Sequence, residues 1–307
     1  MHKKILLVLL TISLLVIFGC KQQQEGSGPF IGGIKGIDAG FSPNAPPSQF
    51  NEDQEVPVKI TLVNNGEFNV DSGLVEVQLF GVNRPIFGLN DQYKPTEGVL
   101  YGVDQFNTQG GEQQVDFGVM KYTQKISNEE DFNLKAKVCY PYTTYAQIKA
   151  CVSSVSIEEG KGDQVCTIEG EKVVKGSVSS GPIQVTSFKQ EFRGADIVLF
   201  NMNIENKGIG KVYKEDSICS DLDDAIKRAD SENIIHVKII PEDVKCRFLG
   251  ATSSEGDIRL DNGIKLLTCQ QAVQGTGSNF EEKVAIELSY RYIDSASKSF
   301  KIFQTNV

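Results

Sequence analysis

The 307-residue sequence predicts a mainly β protein built from two tandem antiparallel β-sandwiches, with one short helix inserted in the second. Three observations support this fold class. Apolar and polar residues alternate in many short segments, one such segment recurs 142 residues later, and Gly, Asn and Asp stand between segments. Hydrophobic residues make up 40% of the chain, which is enough for packed cores and argues against disorder.

The alternation is clearest at residues 56–62, VPVKITL, where the four apolar residues share one face. Successive side chains of a strand point to opposite faces, so this pattern predicts a half-buried antiparallel strand. The same pattern predicts strands at residues 75–79, 115–119, 132–140, 146–152, 198–204, 235–239 and 284–292. We expect a turn near Tyr145, between the strand that ends at Tyr140 and the next one.

An internal repeat predicts the number of domains. LVNNGEFNV at 62–70 aligns without gaps on IENKGIGKV at 204–212, and both contain Asn-x-Gly. Because Asn and Gly tolerate positive φ, we expect the chain to turn there. A segment rich in Gly, Ser and charged residues precedes Gly181, so we place the two domains at 34–180 and 181–307.

The repeated motif also resembles a known family. A strand that closes in Leu-Val-Asn-Asn-Gly or Ile-Glu-Asn-Lys-Gly, followed by a valine-rich strand, is similar to the opening of CARDB-type domains, which are immunoglobulin-like β-sandwiches of archaeal and bacterial surface proteins. The string VCYPYTTYAQIKACV resembles uncharacterised archaeal surface proteins. The resemblance implies an extracellular immunoglobulin-like fold with an adhesion or scaffold role, and it supplies no catalytic residues.

The N-terminus has the organisation of a secretory signal over residues 1–19. Two lysines precede an apolar run of 14 residues, from Ile5 to Phe18. A helix that spans a bilayer needs about 20 apolar residues, so the run is too short to span and fits the apolar region of a signal peptide.

The run ends in Ile-Phe-Gly-Cys at residues 17–20, which resembles a lipobox. The resemblance implies cleavage before Cys20 and lipidation of Cys20, so we expect a protein tethered to the outer side of the membrane. An ordinary cleaved signal and an uncleaved anchor are the alternatives. Residues 20–33 are polar and rich in Gly, and they predict a flexible tether.

The charge of the chain limits its partners. Lys and Arg number 31 against 40 Asp and Glu, and loss of the signal with its two lysines leaves 29 against 40, a net charge of −11. Phosphate backbones repel such a protein, so we expect no nucleic-acid partner. The expected contacts are the membrane, through the lipid, and a surface protein or glycan. We expect no cofactor, because no motif for one is present.

Six cysteines follow Cys20, and an even number in an exported chain predicts disulfides. We predict a cross-strand Cys139–Cys151 bridge, since both residues point away from the core on consecutive predicted strands around the expected turn. Two free thiols are the alternative. Cys246 is in phase with core residues, and the pairing of Cys166, Cys219, Cys246 and Cys269 stays open.

The sequence offers little for catalysis, and we expect no enzyme. His236 is the one histidine after residue 19, and in IIHVKII it falls on the exposed face of a strand. No G-x-S-x-G motif accompanies it. The S-x-x-K form at residues 295–298 lacks its partner motifs and lies between strands.

Residues 220–230 predict a helix, with Ser220 as N-cap and an apolar stripe from Leu222 to Ala229. The same segment is acidic, and Asp221, Asp223 and Glu232 match positions 1, 3 and 12 of a calcium-binding EF-hand loop. Ile226 stands where that loop needs Gly, so the acids fit a helix start better and a loose calcium site is the alternative.

The loop at 90–114 is long for a hairpin connection, and long loops on β scaffolds often bind ligands. Tyr93, Tyr101 and Phe106 are its aromatic candidates for contact with a sugar or peptide. The alternative is a loop folded back on its own sandwich. The leading hypothesis is a membrane-tethered extracytoplasmic adhesion or scaffold protein, and the second is a ligand-binding lipoprotein that captures glycan or peptide on this loop.

Overall fold

The computed structural model describes residues 28–153, 166–194, 196–273 and 279–305. The predicted signal at 1–19, the lipidation site Cys20 and the first part of the predicted tether lie outside the described residues. No helix in these ranges is both long and apolar enough to cross a bilayer.

The described residues are mainly strands, which confirms the predicted fold class. The strands are β1 (Ile37–Phe41), β2 (Gln49–Asn51), β3 (Glu55–Asn64), β4 (Glu76–Phe80), β5 (Lys94–Pro95), β6 (Glu112–Lys121), β7 (Glu129–Ser153), β8 (Ile183–Phe192), β9 (Ile197–Asn206), β10 (Lys211–Tyr213), β11 (Ile234–Ile240), β12 (Lys245–Arg247), β13 (Thr252–Ser253), β14 (Glu255–Arg259), β15 (Ile264–Ala272) and β16 (Asn279–Phe303). Two 3₁₀ helices (Arg84–Phe87 and Asp221–Asp223) and one α-helix, α1 (Ala225–Ser231), connect them.

The strands form three sheets that share one large core. An eight-stranded sheet has the order β14-β11-β16-β7-β4-β5, with β10 and β2 also paired to β16. A three-stranded sheet, β1-β3-β6, belongs to the first half of the chain, and a five-stranded sheet, β13-β12-β15-β9-β8, belongs to the second. Inward residues of all three sheets lie in a single buried cluster. The arrangement is that of two β-sandwiches which share the large sheet.

Two strands of 25 residues, β7 and β16, join the halves. They pair antiparallel over their full length, and Tyr140 lies opposite Tyr292 while Tyr142 lies opposite Tyr290. All four tyrosine rings are buried. The expected turn near Tyr145 is therefore wrong, because the chain continues straight through it as strand.

The ends of the long strands cross from one half to the other. Phe300, near the end of β16, packs against Phe50, Phe87 and Phe132 of the first half, at ring separations of 5.2, 6.0 and 5.9 Å. In return, the end of β7 meets the second half, where Cys151 N–H donates to the Gln190 side chain at 2.8 Å. The domain boundary near Gly181 remains a prediction. In the structure, each half packs against the end of a long strand from the other half.

The repeated Asn-x-Gly motif forms the same hydrogen-bonded turn twice. In the first half, the Tyr142 hydroxyl bonds to Asn64 Oδ1 at 3.2 Å, and Asn64 Nδ2 donates to the Phe68 carbonyl at 2.6 Å. In the second half, Tyr292 bonds to Asn206 Oδ1 at 3.3 Å and Asn206 Nδ2 donates to a carbonyl four residues on, at 3.0 Å. Each long strand thus supplies the tyrosine that closes one turn.

The reason for glycine in this motif differs from the predicted one. Gly66 and Gly208 are not among the residues with positive φ. A Cβ atom at Gly66 would stand 1.9 Å from the Tyr142 hydroxyl, and one at Gly208 would stand 2.2 Å from the Tyr292 hydroxyl. The motif needs glycine because the tyrosine approaches too closely for any side chain.

Helix α1, the one α-helix in the part of the chain that the structure describes, is shorter than predicted and is capped by a different residue. It starts after Asp224, whose carboxylate accepts the N–H groups of Ile226 and Lys227 at 2.9 and 3.0 Å. Ser220 makes no side-chain cap and instead precedes a 3₁₀ turn. Leu222 of that turn is buried, but Ile226 is 75% exposed, so the predicted apolar stripe does not form one packed face.

Candidate functional site

The aromatic candidates of the 90–114 loop divide between two places. Tyr93 is half-buried, and its hydroxyl donates to Asp223 at 3.2 Å while Lys137 Nζ lies 5.2 Å from the centre of its ring. Burial, together with the Asp223 charge, raises the pKa of Tyr93. The contacts of Tyr93 therefore give it a structural role, whereas Tyr101 and Phe106 are 58% and 97% exposed.

Tyr101 and Phe106 lie on the segment 101–111, which we name the aromatic loop. Its two ends are joined by a hydrogen bond from Gly111 N–H to the Tyr101 carbonyl at 2.7 Å. Gly102 N–H donates to the Asn69 side chain at 2.8 Å. The loop is closed at its base, and Phe106 projects from its tip instead of folding back on the sandwich.

Asp104 fixes the backbone at the tip of the aromatic loop. Its carboxylate accepts the N–H groups of Phe106 at 2.7 Å and Asn107 at 2.6 Å. These two bonds, with that of Asn107 first, lower the pKa of Asp104. An Asp that bonds to backbone two and three residues ahead is a known turn former, which is the one sequence signal that could have indicated this local order.

The aromatic loop lies against the first Asn-x-Gly turn, close to where the N-terminal segment joins the body. Val103 N–H donates to the Gly66 carbonyl at 2.8 Å. The neighbouring Glu67 carboxylate accepts N–H groups of Ile31 and Gly32 at 2.9 Å each, and that of Ser180 at 2.6 Å. The prediction of a flexible tether up to residue 33 is wrong for residues 28–33, which Glu67 holds on the body.

A second polar cluster lies between strands β4 and β7 of the eight-stranded sheet and the segment 214–231, which we name the insertion. Asp223 is its centre: the carboxylate forms an ion pair with Lys137 and accepts hydrogen bonds from Tyr93 at 3.2 Å and Gln78 at 3.4 Å. Leu222 and Cys219 pack into a small separate core beside it. The insertion belongs to the second half in sequence but is fastened to strands of the first.

A disulfide anchors the insertion, and it corrects the predicted pairing. Cys139 bonds to Cys219, and Cys151 bonds to Cys166. The predicted Cys139–Cys151 bridge is wrong because both residues lie on β7. Twelve strand residues separate them by about 40 Å.

The remaining two cysteines form the third disulfide, Cys246–Cys269, which joins β12 directly to β15. Cys246 is buried in the main core, as its phase predicted. Three disulfides indicate an oxidising, extracytoplasmic environment.

The acidic residues proposed for calcium do not converge. Asp221 pairs with Lys227 at 2.9 Å and Glu232 with Lys211 at 2.9 Å, while Asp223 pairs with Lys137. Across the described ranges, no three His, Cys, Asp or Glu side chains are grouped to hold a metal ion. Each carboxylate is neutralised by its own lysine, so the alternative of a loose calcium site has no shared ligand set.

His236 is more ordered than an exposed strand histidine. Its Nδ1 lies 2.9 Å from Asp257 Oδ1, on the adjacent strand. Ser289 of β16 lies opposite His236 in the strand register. Its hydroxyl group, however, bonds to that of Thr143 at 3.2 Å. The three residues form a row of Asp, His and Ser on the outer face of the sheet, in which the acid orients the imidazole and the serine is bonded elsewhere.

Comparison with known proteins identifies no family. Neither the models of known protein families nor the curated proteins give a match. Among solved structures, the chain is similar to the secreted serine protease VesC from Vibrio cholerae, with 11% identity, a TM-score of 0.18, and coverage of 80% of this chain and 47% of that chain. The chain thus spans about half the length of VesC, and at this TM-score the likeness carries no argument.

The expectation that the chain is no enzyme is nevertheless corrected. It rested on the absence of sequence motifs, and such an absence excludes no catalytic activity. VesC is a secreted serine protease, but a likeness at this TM-score assigns no activity to this chain. We therefore do not maintain that expectation, and we carry no catalytic residue over from VesC.

Proposed function

We propose that this protein is an extracytoplasmic interaction protein, tethered to a membrane by a lipid on Cys20, with an adhesion or scaffold role. The signal-like residues 1–19 and the lipobox-like sequence that ends in Cys20 support the tether. Three disulfides and the two full-length paired strands support a stiff body suited to an extracellular setting. The resemblance of the Asn-x-Gly turns to CARDB-type surface domains agrees with this role.

A second candidate function is the capture of a glycan or peptide on the aromatic loop. The observation that carries it is the exposure of Phe106, 97%, on a backbone held by Asp104. An aromatic ring can bury about 150–250 Å² on contact. Because the backbone is already ordered, little conformational entropy is lost when a ligand binds.

The two functions differ in what the aromatic loop does, and an array of glycans and peptides separates them. Under the ligand-capture function, the wild-type protein binds a ligand and the double variant Tyr101→Ala/Phe106→Ala binds it at least about tenfold more weakly, as for the loss of an anchoring aromatic residue. Tyr93 is left intact because it contacts Asp223, and its loss would disturb the insertion.

Ile209→Ala is the matched control, since Ile209 is 93% exposed on the turn of the other half. This variant should bind as the wild type does. If the double variant also binds as the wild type does, the aromatic loop is not the site and the ligand-capture function is wrong. If no array ligand binds the wild type, the adhesion or scaffold role is favoured.

A further inference from the structure

A cluster of basic side chains lies in the second half of a chain that is acidic overall. A cleft of about 580 Å³ is lined by Arg193, Lys245, Arg247, Arg259 and Lys265, and by no acidic side chain among the described residues. We name it the basic groove. Residues 181–307 hold 16 Lys and Arg against 19 Asp and Glu, whereas residues 34–180 hold 12 against 20. The cations are thus concentrated in the less acidic half.

Three of these cations have no neutralising carboxylate within the described ranges. Lys265 pairs with Asp261 at 3.7 Å, and Arg259 donates to the backbone carbonyls of Asp230 and Glu232. For Arg193, Lys245 and Arg247, no carboxylate oxygen of the described residues lies within 4.0 Å. The groove therefore keeps a local excess of positive charge that an anion could neutralise.

The strand that carries two of these cations is fixed in place. Lys245 and Arg247 are exposed on β12, on either side of the buried Cys246. Residues two apart on a strand point to the same face, about 7 Å from each other. The Cys246–Cys269 disulfide joins this three-residue strand to β15, so the backbone positions of Lys245 and Arg247 are held at a set spacing before any ligand arrives.

The backbone around the groove is paired in part. β12 pairs with β13 and β15, and β15 pairs with β9 along its whole length, but with β12 only at Cys269 and Gln270. The edge strand β13 has only two residues. Among the described strands, the edge of β15 that β12 leaves uncovered, from Ile264 to Thr268, is where a peptide could add a strand, so the poly-glutamate comparison below is needed to separate a peptide from a sugar chain.

The lining of the groove combines charge with apolar and hydroxyl groups. Leu249 and Leu266 are 56% and 59% exposed, and Thr252 and Thr268 also line the cleft. The cations of the groove can bond to carboxylates of a ligand, and the threonine hydroxyl groups can bond to its hydroxyl groups. The leucines can cover the apolar faces of sugar rings. Nucleic acid, with its higher charge density, would be repelled by the net charge of −9 of the whole chain.

We propose that the basic groove binds an acidic polysaccharide whose sugars carry carboxylates. Arg193, Lys245 and Arg247 contact the carboxylates, and the two exposed leucines contact the sugar rings between them. The basic groove is separate from the aromatic loop, so this proposal does not depend on ligand capture by that loop.

Binding of polygalacturonate oligomers to the purified full chain tests this proposal, with the fully methyl-esterified oligomer as the uncharged control ligand. We expect the wild type to bind the charged oligomer, to bind it more weakly at high salt, and to bind the ester at least about tenfold more weakly. The variant Arg193→Gln/Lys245→Gln/Arg247→Gln should lose affinity by a similar factor. Lys238→Gln/Lys283→Gln/Lys298→Gln, which changes the total charge equally, should bind as the wild type does.

Four outcomes would overturn the proposal: no binding of the charged oligomer, equal binding of the ester, equal affinity of the groove variant, or an equal loss of affinity in the control variant. Poly-glutamate is a further arm. Poly-glutamate that binds as tightly as polygalacturonate would show that the groove recognises an acidic peptide and would overturn the assignment to a sugar chain. A thermal unfolding curve of each variant establishes that a loss of binding is not a loss of fold.

Discussion

At the scale of single residues, the contacts of a few side chains explain why the sequence repeats where it does. Asn64 and Asn206 each bond to a tyrosine from a long strand, and the glycine two residues later leaves room for that tyrosine. The repeat is therefore visible in sequence, but its cause is not, because the tyrosine is 78 residues away in the first half and 86 in the second.

Gly208→Ala should destabilise the protein by about 1–3 kcal/mol, as overpacking of a closely packed site does. The new Cβ would lie 2.2 Å from the Tyr292 hydroxyl and 2.8 Å from Pro182 Cβ. Denaturant unfolding measures the change. Gly40→Ala is the control, since nothing lies within 4 Å of a Cβ there. Equal stabilities of the two variants would contradict the steric explanation of the motif.

Glu52 should make stability depend on pH. It is buried, and its carboxylate accepts the Ile126 N–H at 3.0 Å and a hydrogen bond from Lys125 at 3.1 Å. The Ile126 bond, with smaller contributions from Lys125 and Thr305, lowers the pKa of Glu52 below its ordinary value of 4.5. The stabilisation is therefore complete above about pH 4.5 and is lost as the pH falls through the lower pKa of the folded state.

Melting temperatures measured from neutral to acid pH test this. The wild type should lose more stability on acidification than Glu52→Gln, which cannot titrate. Glu112→Gln, at an exposed glutamate, should follow the wild type. Parallel curves for the wild type and Glu52→Gln would show that Glu52 does not contribute in this way.

At the scale of elements, alternation predicted most strands, including β3, whose even residues are buried as expected. Alternation could not predict that the segments 132–140 and 146–152 form one continuous strand, β7. Pro141 and the expected turn at Tyr145 suggested a break, yet β4 ends its pairing at Cys139 and leaves Pro141 with a strand neighbour on one side only. A proline is tolerated at such a position. The wrong disulfide followed directly from the missed continuity.

The candidate site was predictable only in part. The length and aromatic content of the 90–114 segment indicated the exposed Tyr101 and Phe106. Nothing local indicated that Tyr93 would meet Asp223, 130 residues away, or that five cations would line one cleft. Such contacts arise from the order of strands in the sheets, which the alternation of residues does not encode.

The Cys139–Cys219 disulfide should stabilise the fold more than the Cys151–Cys166 disulfide. The first closes a loop of 80 residues and the second a loop of 15. Chain entropy alone then gives about 4.5 and about 3 kcal/mol. Urea unfolding of Cys139→Ala/Cys219→Ala and of Cys151→Ala/Cys166→Ala compares them, and an equal or reversed order would contradict this expectation.

At the scale of the whole molecule, the two halves are one body because each long strand serves both. Tyr140, Tyr142, Tyr290 and Tyr292 fill the junction, and the Phe300 ring closes the core of the first half from the end of the chain. The N-terminal segment joins this body beside Glu67 and the aromatic loop. In the proposed function, the point where the tether meets the body and the aromatic loop therefore lie on the same side.

The mass of the intact, unreduced protein purified from membranes tests the proposed tether and compartment together. We expect a chain that begins at Cys20, carries the mass of a lipid on that residue, and contains no free thiol among its other six cysteines. A chain that retains residues 1–19, or one with unmodified Cys20 and reduced cysteines, would contradict the assignment to a lipid-tethered, extracytoplasmic interaction protein.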